Sequence, residues 1–145
     1  MSGFFKSIDI SSSGLTAERL RMDIISNNIA NANVTRTESG GPYKRQMPVF
    51  AVKSTSAFSL KTLNDSIPAG VTVEGIVEDE TGPRMVYDPS HPDADKEGYV
   101  AYPNVNSVRE MVDMITCSRA YEANVTAMNS AKNMMLKALE IGTKA

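Results

Sequence analysis

His91 is the only histidine in the chain and lies in the run Asp88-Pro89-Ser90-His91-Pro92-Asp93. An imidazole near Asp88, Asp93 and Asp95 has the residue types of a general base or a metal site. The spacing argues otherwise. Two prolines fix the run as a turn, and one histidine with loose aspartates matches no recognised ligand pattern. The simpler expectation is a polar turn that docks on another part of the fold. Glu78-Asp79-Glu80 has the charge for weak cation binding, but charge runs usually face water, so a solvated acidic turn is expected. Cys117 is the sole cysteine, which excludes a disulfide within the chain. It is expected to act as a small apolar residue in a core or interface, with a reactive thiol as the alternative. Phosphate-cradling, dinucleotide-binding and nucleophile-elbow motifs are absent from the sequence. Nothing here supports an enzyme, a cofactor or a metal.

The elements that would position these residues are unevenly distributed. The chain has 145 residues, 41% apolar and 22% charged, with a net charge of −2. That length suits one domain with a modest core. The charge balance supplies no electrostatic reason to expect nucleic acid or an anionic membrane. No apolar run approaches the roughly 20 residues of a membrane span, so direct membrane insertion is not expected. The stretch Ile8-Asp9-Ile10-Ser11-Ser12-Ser13 is too polar for the apolar region of a cleaved secretory signal. The chain is therefore expected to be cytosolic, or to leave the cell without such a signal.

Both ends carry seven-residue apolar stripes and the middle does not. Ile8, Leu15, Met22 and Ile29 recur near the N-terminus, with Ile25 beside them; Met114, Tyr121, Met128 and Met135 recur near the C-terminus, with Met111, Val125 and Leu139 interleaved. This period puts apolar side chains on a seam that a partner helix buries. These residues are the candidate packing surface, against each other and against neighbouring subunits. The first helix spans about Phe4–Asn33. Its firmer part is Thr16–Asn31; the Ser11–Gly14 run weakens a helix, glycine alone by about 1 kcal/mol, so the stretch before Leu15 is helical only if a partner supports it. Arg19 and Asp23 fall on its exposed side. The last helix opens at Ser107-Val108-Arg109-Glu110, which has the form of a capping box, and runs to Ile141, with Gly142 placed as a C-terminal cap. It would be about 50 Å long, against a radius of gyration of about 15 Å for a compact domain of this size. The helix thus protrudes or packs along an equally long partner.

Between the helices lie all seven prolines and six of the nine glycines. Strands are expected at Tyr43–Val52, where proline interrupts, at Val71–Val77 and at Arg84–Tyr87, with a short extended piece at Tyr99–Tyr102. A mobile loop is expected over about 54–68. The sheet should be small and supported by the helices. Met111, Met114, Met128, Met134 and Met135 suit either core filling or an adaptable interface. Asn27 with Asn31, and Asn129 with Asn133, are spaced to share a helix face. Propensity does not explain them, whereas interhelical hydrogen bonds or a neutral wet surface would.

The run Ser26-Asn27-Asn28-Ile29-Ala30-Asn31-Ala32-Asn33-Val34-Thr35 resembles the N-terminal motif of the bacterial flagellar rod and hook axial proteins. Ile10–Ala17 looks like that family's first helix, and Ser118-Arg119-Ala120-Tyr121-Glu122-Ala123-Asn124 looks like its C-terminal helix motif. Gly41–Arg45, Val86–Ala94 and Glu97–Asn106 resemble a proximal-rod member. The resemblance covers nearly the whole chain, leaving out about 54–68. The segment Thr35–Gly40 departs from hook-type relatives, which are tighter there. The resemblance implies export through the flagellar type III apparatus and helical assembly around an export channel. Terminal helices would form the inner tube, and a small β-rich domain would lie outside it. It implies a periplasmic, torque-transmitting rod. The implied partners are other copies, proximal and distal rod subunits, an inner-membrane ring or export-gate adaptor, and the export apparatus.

The expected fold class is α+β: long terminal helices packed as a coiled-coil domain, with a small β-rich middle. The expected domains are 1–35 with 104–145 as the inner-tube part, and 36–103 as the β-rich part. Three functions fit to different degrees. The leading one is a non-catalytic rod subunit. The second is a soluble coiled-coil adaptor or export chaperone that does not polymerise. The weakest is a hydrolase built on His91, Asp88 and Asp93.

Overall fold

The computed structural model describes residues 2–54 and 68–143. In chain order they form α1 (Ser2–Ala30), β1 (Gln46–Ser54), β2 (Pro68–Glu78), β3 (Arg84–Tyr87), β4 (Tyr99–Tyr102) and α2 (Ser107–Thr143). The fold is α+β, two long terminal helices with two small ribbons between them.

The helices lie side by side and antiparallel: Asn28 meets Glu110, Glu18 meets Cys117, and Gly14 faces Asn124. Small residues make this approach possible. Ser11, Ala17, Cys117 and Ala131 are buried, and a Cβ on Gly14 would stand 3.1 Å from the Asn124 side chain. Ile24 and Ile25 are the larger apolar side chains that α1 buries.

Helix α1 is continuous through the Ser11–Gly14 run, where the sequence predicts a helix only with support from a partner. Tertiary contacts offset the weak propensity there, as they commonly do. The Ser13 hydroxyl donates to the Ile10 carbonyl and accepts from the Val71 amide of β2. That second bond satisfies an amide of β2 with a side chain of α1. A small serine and Gly70, at φ +120°, are needed where ribbon and helix touch, because a Cβ on Gly70 would collide with the Ser13 hydroxyl.

Strands β1 and β2 form one antiparallel ribbon, from Gln46 opposite Glu78 to Ser54 opposite Pro68. The register shifts after Val49 opposite Gly75, since Phe50 then faces Val73; Glu74 is the extra residue of a bulge. The expected strand from Tyr43 begins instead at Gln46, because Tyr43 and Arg45 turn toward the helices. The expected loop over 54–68 loses its two end residues to the strands, and its remainder lies outside the described residues. Strands β3 and β4 pair as a second, separate ribbon, Arg84 opposite Tyr102 and Tyr87 opposite Tyr99. Val100 of β4 is fully buried, and the Tyr87 and Tyr99 rings meet edge-on at 5.3 Å.

Both expected caps of α2 are corrected. The Asn106 side-chain oxygen, not Ser107, accepts from the amides of Val108 and Arg109. Glu110 cannot close a capping box because its carboxylate points inward to Arg45. At the other end the helix continues through Gly142 to Thr143.

Gly98 closes the turn between β3 and β4 at φ +84°, and a Cβ there would stand 2.9 Å from the Tyr87 ring. Left-handed backbone and this contact together favour glycine. Gly98→Ala should lower stability by about 1–3 kcal/mol, seen as a lower urea midpoint with an unchanged slope.

Candidate assembly site

The side chains that join helices and ribbon meet around Asn28, which is 1% exposed. Its amide nitrogen donates to the Gln46 carbonyl at 2.9 Å and to Glu110 Oε2 at 3.1 Å. Its oxygen accepts from the Gln46 amide and from the Tyr43 hydroxyl, each at 2.9 Å. Both donors and both acceptor positions of the amide are thus used. With Gln46 it makes a reciprocal pair, like that between strand residues, so α1 holds β1 at its first residue.

Glu110 is equally buried, 1% exposed, and its Oε1 accepts from Arg45 Nε at 2.7 Å. Arg45 also lies 3.9 Å from Asp79 and from Asp113, and Arg21 lies 4.0 Å from Asp113. Charges from α1, from the residues flanking the ribbon (Arg45 before β1 and Asp79 after β2) and from α2 therefore neutralise one another at a single joint. Asn104 completes it by accepting from the Arg45 amide and donating to the Asp79 and Thr81 carbonyls. Burial, then the nearby Glu110 and Glu78 carboxylates, push the Tyr43 phenol above its ordinary range. The Thr81 hydroxyl and amide hold the Asp79 carboxyl below its ordinary range, with help from Arg45.

The residues expected to do chemistry are accounted for structurally. Asp93 accepts from the Thr35 hydroxyl at 2.8 Å and lies 3.8 Å from Arg36, so the His91 turn docks on the segment after α1. His91 Nδ1 accepts from the Asp93 amide at 3.1 Å, which ties the ring into the turn. Among the described residues no three His, Cys, Asp or Glu side chains gather as metal ligands. Cys117 is fully buried, and its thiol donates toward the carbonyl and carboxylate of Glu18. Burial, then that carboxylate, push the thiol up to about 12.

The two apolar stripes are placed differently along their lengths. On α1, Ile25 is buried and Ile8, Leu15, Met22 and Ile29 are half-buried. On α2, Met114, Tyr121, Val125, Met128 and Met135 are half-buried, whereas Met111 and Leu139 are exposed. Of the terminal motif, Asn28 and Ala32 are buried, Ile29, Asn31 and Thr35 are half-buried, and Ser26, Asn27, Ala30 and Asn33 are exposed. In the C-terminal motif, Ala120, Tyr121 and Asn124 are half-buried while Arg119 and Glu122 face outward. Asn31 donates to the Asn27 carbonyl of its own helix, and Asn129 and Asn133 are exposed. Neither spaced asparagine pair bridges the helices through an amide among the described residues.

Comparison with known proteins matches residues 8–36 to the family model described as flagella basal body rod protein, and residues 96–141 to the C-terminal model of the flagellar basal body rod FlgEFG proteins. Over whole chains, the flagellar basal-body rod protein FlgC of Borreliella burgdorferi is 51% identical over 148 residues, covering 96% of this chain and 97% of its own. The chain belongs to the FlgC family of flagellar basal-body rod proteins. FlgC of Bacillus subtilis is 46% identical, with 95% and 97% covered, and FlgC of Escherichia coli O6:H1 is 38% identical, with 92% and 94% covered. The two rod-family matches fall on the helical ends of the chain, so the Asn28–Glu110 contact links one matched segment to the other.

Residue-by-residue reading of the sequence missed this joint. A signal was present: Asn28 follows Ile24 and Ile25 by one turn, and Glu110 precedes Met114 and Cys117 on the same helical face. A polar residue on an apolar stripe calls for a buried partner.

Removing the buried carboxylate leaves Arg45 and Asn28 short of their partner. Glu110→Ala should cost about 3 kcal/mol, whereas Asn27→Ala at the exposed neighbouring site should stay within about 0.5 kcal/mol; chemical denaturation of both variants measures the contrast. For Cys117, the unfolded thiol ionises near 9.0 and the folded one near 12. Above pH 9 the folded state holds the extra proton, so stability falls as pH rises between those values. At pH 8 iodoacetamide should modify Cys117 slowly in the native protein and rapidly in urea.

Proposed function

We propose that this chain is a non-catalytic structural subunit of the flagellar rod, at its proximal end, assembling helically with copies of itself and with other rod proteins. The observation that carries this reading is similarity to FlgC proteins along almost the entire chain, together with rod-family matches at both helical ends. The physical arrangement supports it. Helix α2 has 37 residues against 29 in α1. The antiparallel pairing that sets Asn28 against Glu110 therefore carries the last turns of α2, with Leu139 and Ile141, past the start of α1. Those residues are exposed, as are Val108, Met111, Val112 and Ile115 on the first turns of α2. A chain with this much apolar helix surface fits an assembly in which neighbours bury it.

On this reading, residues 1–35 and 104–145 form the wall of a tube around an export channel, and residues 36–103 form an outer β-rich part. The inward seams, including Leu15 and Val125, hold the hairpin of helices, while the outward residues meet other subunits. Many such contacts acting together resist torque. Export proceeds without a cleaved signal, and the rod lies in the periplasm.

Deleting the gene should abolish swimming, and purified basal bodies from the parent should contain this chain. Val125→Asp should leave the chain secreted but absent from basal bodies. Normal swimming of the deletion strain, or basal bodies free of the chain, would sink this reading.

A further inference from the structure

Two exposed surfaces of this molecule complement each other. The first is a groove of about 1050 Å³ between the first half of α1 and the β1–β2 ribbon, with Lys6 and Asp9 on its α1 side. Between Phe5 at one end and Leu20 at the other, the helix wall of the groove carries small side chains, among them Ser13 and Thr16. The second surface is a ridge on the outward face of α2, facing away from α1. Its first turns present Val108, Val112 and Ile115, all more than half exposed. The next turn carries Arg119 and Glu122, both exposed.

Charge spacing supplies the register. Lys6 and Asp9 are three residues apart on α1, as are Arg119 and Glu122 on α2, and in both cases the cation comes first. None of the four forms an ion pair among the described residues. Laid antiparallel, the two helices bring Lys6 to Glu122 and Asp9 to Arg119 together. That one alignment also sets Thr16 opposite Val112 and Leu20 opposite Val108, and brings Ile115 to the stretch of groove beside Ser13, whose hydroxyl is held by β2. At the other end it sets Phe5 opposite Ala123. Large side chains thus meet small ones along most of the contact, as ridge-into-groove packing requires.

We propose that the outward face of α2 in one copy seats in the α1–β2 groove of a second copy, in this antiparallel register. The two surfaces are different patches of the chain, so the contact is head-to-tail and leaves a free groove and a free ridge at its ends. Such contacts build open helical arrays or rings rather than closed pairs. The inference deepens the rod reading and rests on it, since it names one neighbour contact of that assembly.

The test is charge reversal in a strain lacking the native gene. Asp9→Arg and Arg119→Asp should each reduce swimming at least tenfold in soft agar, and the two together should restore it. All four positions in the register are exposed or half-exposed, and circular dichroism of the purified variants checks that folding is retained. Single reversals that swim normally, or a double reversal that does not recover, would overturn the contact. If the gene deletion itself swims, the rod reading fails instead. A second measurement does not depend on charge. With Cys117→Ser as background, Thr16→Cys and Val112→Cys in one chain should give disulfide-linked multimers in isolated basal bodies. Mass spectrometry should find only this chain in them. Residues 16 and 112 lie on faces that do not meet within one copy. Absence of the link, or a link to a different protein, overturns a second copy as the occupant.

Discussion

The structure depends on one buried amide. Asn28 sits where α1, β1 and α2 converge, and all its hydrogen-bonding capacity is used there. An amide left short of partners in such a place would cost on the order of 1–3 kcal/mol per lost group. This requirement ties three elements to one geometry: the Gln46 backbone on the ribbon, the Tyr43 ring on the approach to it, and the Glu110 carboxylate on α2. Arg45 then neutralises Glu110, and Asp79 and Asp113 balance Arg45. Apolar packing is non-directional. Matched donors and acceptors are not, so the joint sets orientation while the helices supply burial.

The burial is thin because the residues that meet are small. Serine, glycine, alanine and cysteine line the crossing of α1 and α2, and they bring the helices and the β2 backbone close together. Close approach satisfies the Val71 amide and shields the Cys117 thiol, yet little large apolar surface is removed from water. Much of what remains is outward on α2 and on the ribbon. For an isolated domain this is a liability; for a member of a rod-protein family it is surface available to neighbours.

Much of the fold was legible in the sequence. Strand β2 contains the alternating run Val71–Val77, β3 ends at the Asp88-Pro89 turn signal, β4 falls on the short extended piece expected at Tyr99–Tyr102, and two long terminal helices follow from seven-residue stripes. Helix α1 extends through Ser11–Gly14 with the support its weak propensity required: Ser13 bonds to β2 and Gly14 admits α2. The differences have local causes. Asn106 rather than Ser107 caps α2, because Glu110 is already committed to Arg45. One expected sheet became two separate ribbons, since strand order depends on pairings between distant segments. The candidate chemistry at His91 became a turn tied to Thr35 and Arg36, a distance of more than fifty positions along the chain.

What the sequence determined alone was periodicity and motif. Repeats of seven specify helices with an apolar seam, and the asparagine-rich and Ser-Arg-Ala-Tyr-Glu runs mark the flagellar axial family. Those properties are local, carried by residues a few positions apart. Tertiary structure decided which side of each helix is spent inside the chain. The stripe through Met114, Tyr121 and Met128 turned toward α1, which left Val108, Val112 and Ile115 outward. It also decided that Asn28 and Glu110, 82 positions apart, are the joint of the molecule. Helical spacing sets the relative directions of side chains on one helix. The choice of direction to bury depends on a second helix arriving with small residues at the crossing and a carboxylate where an amide needs one.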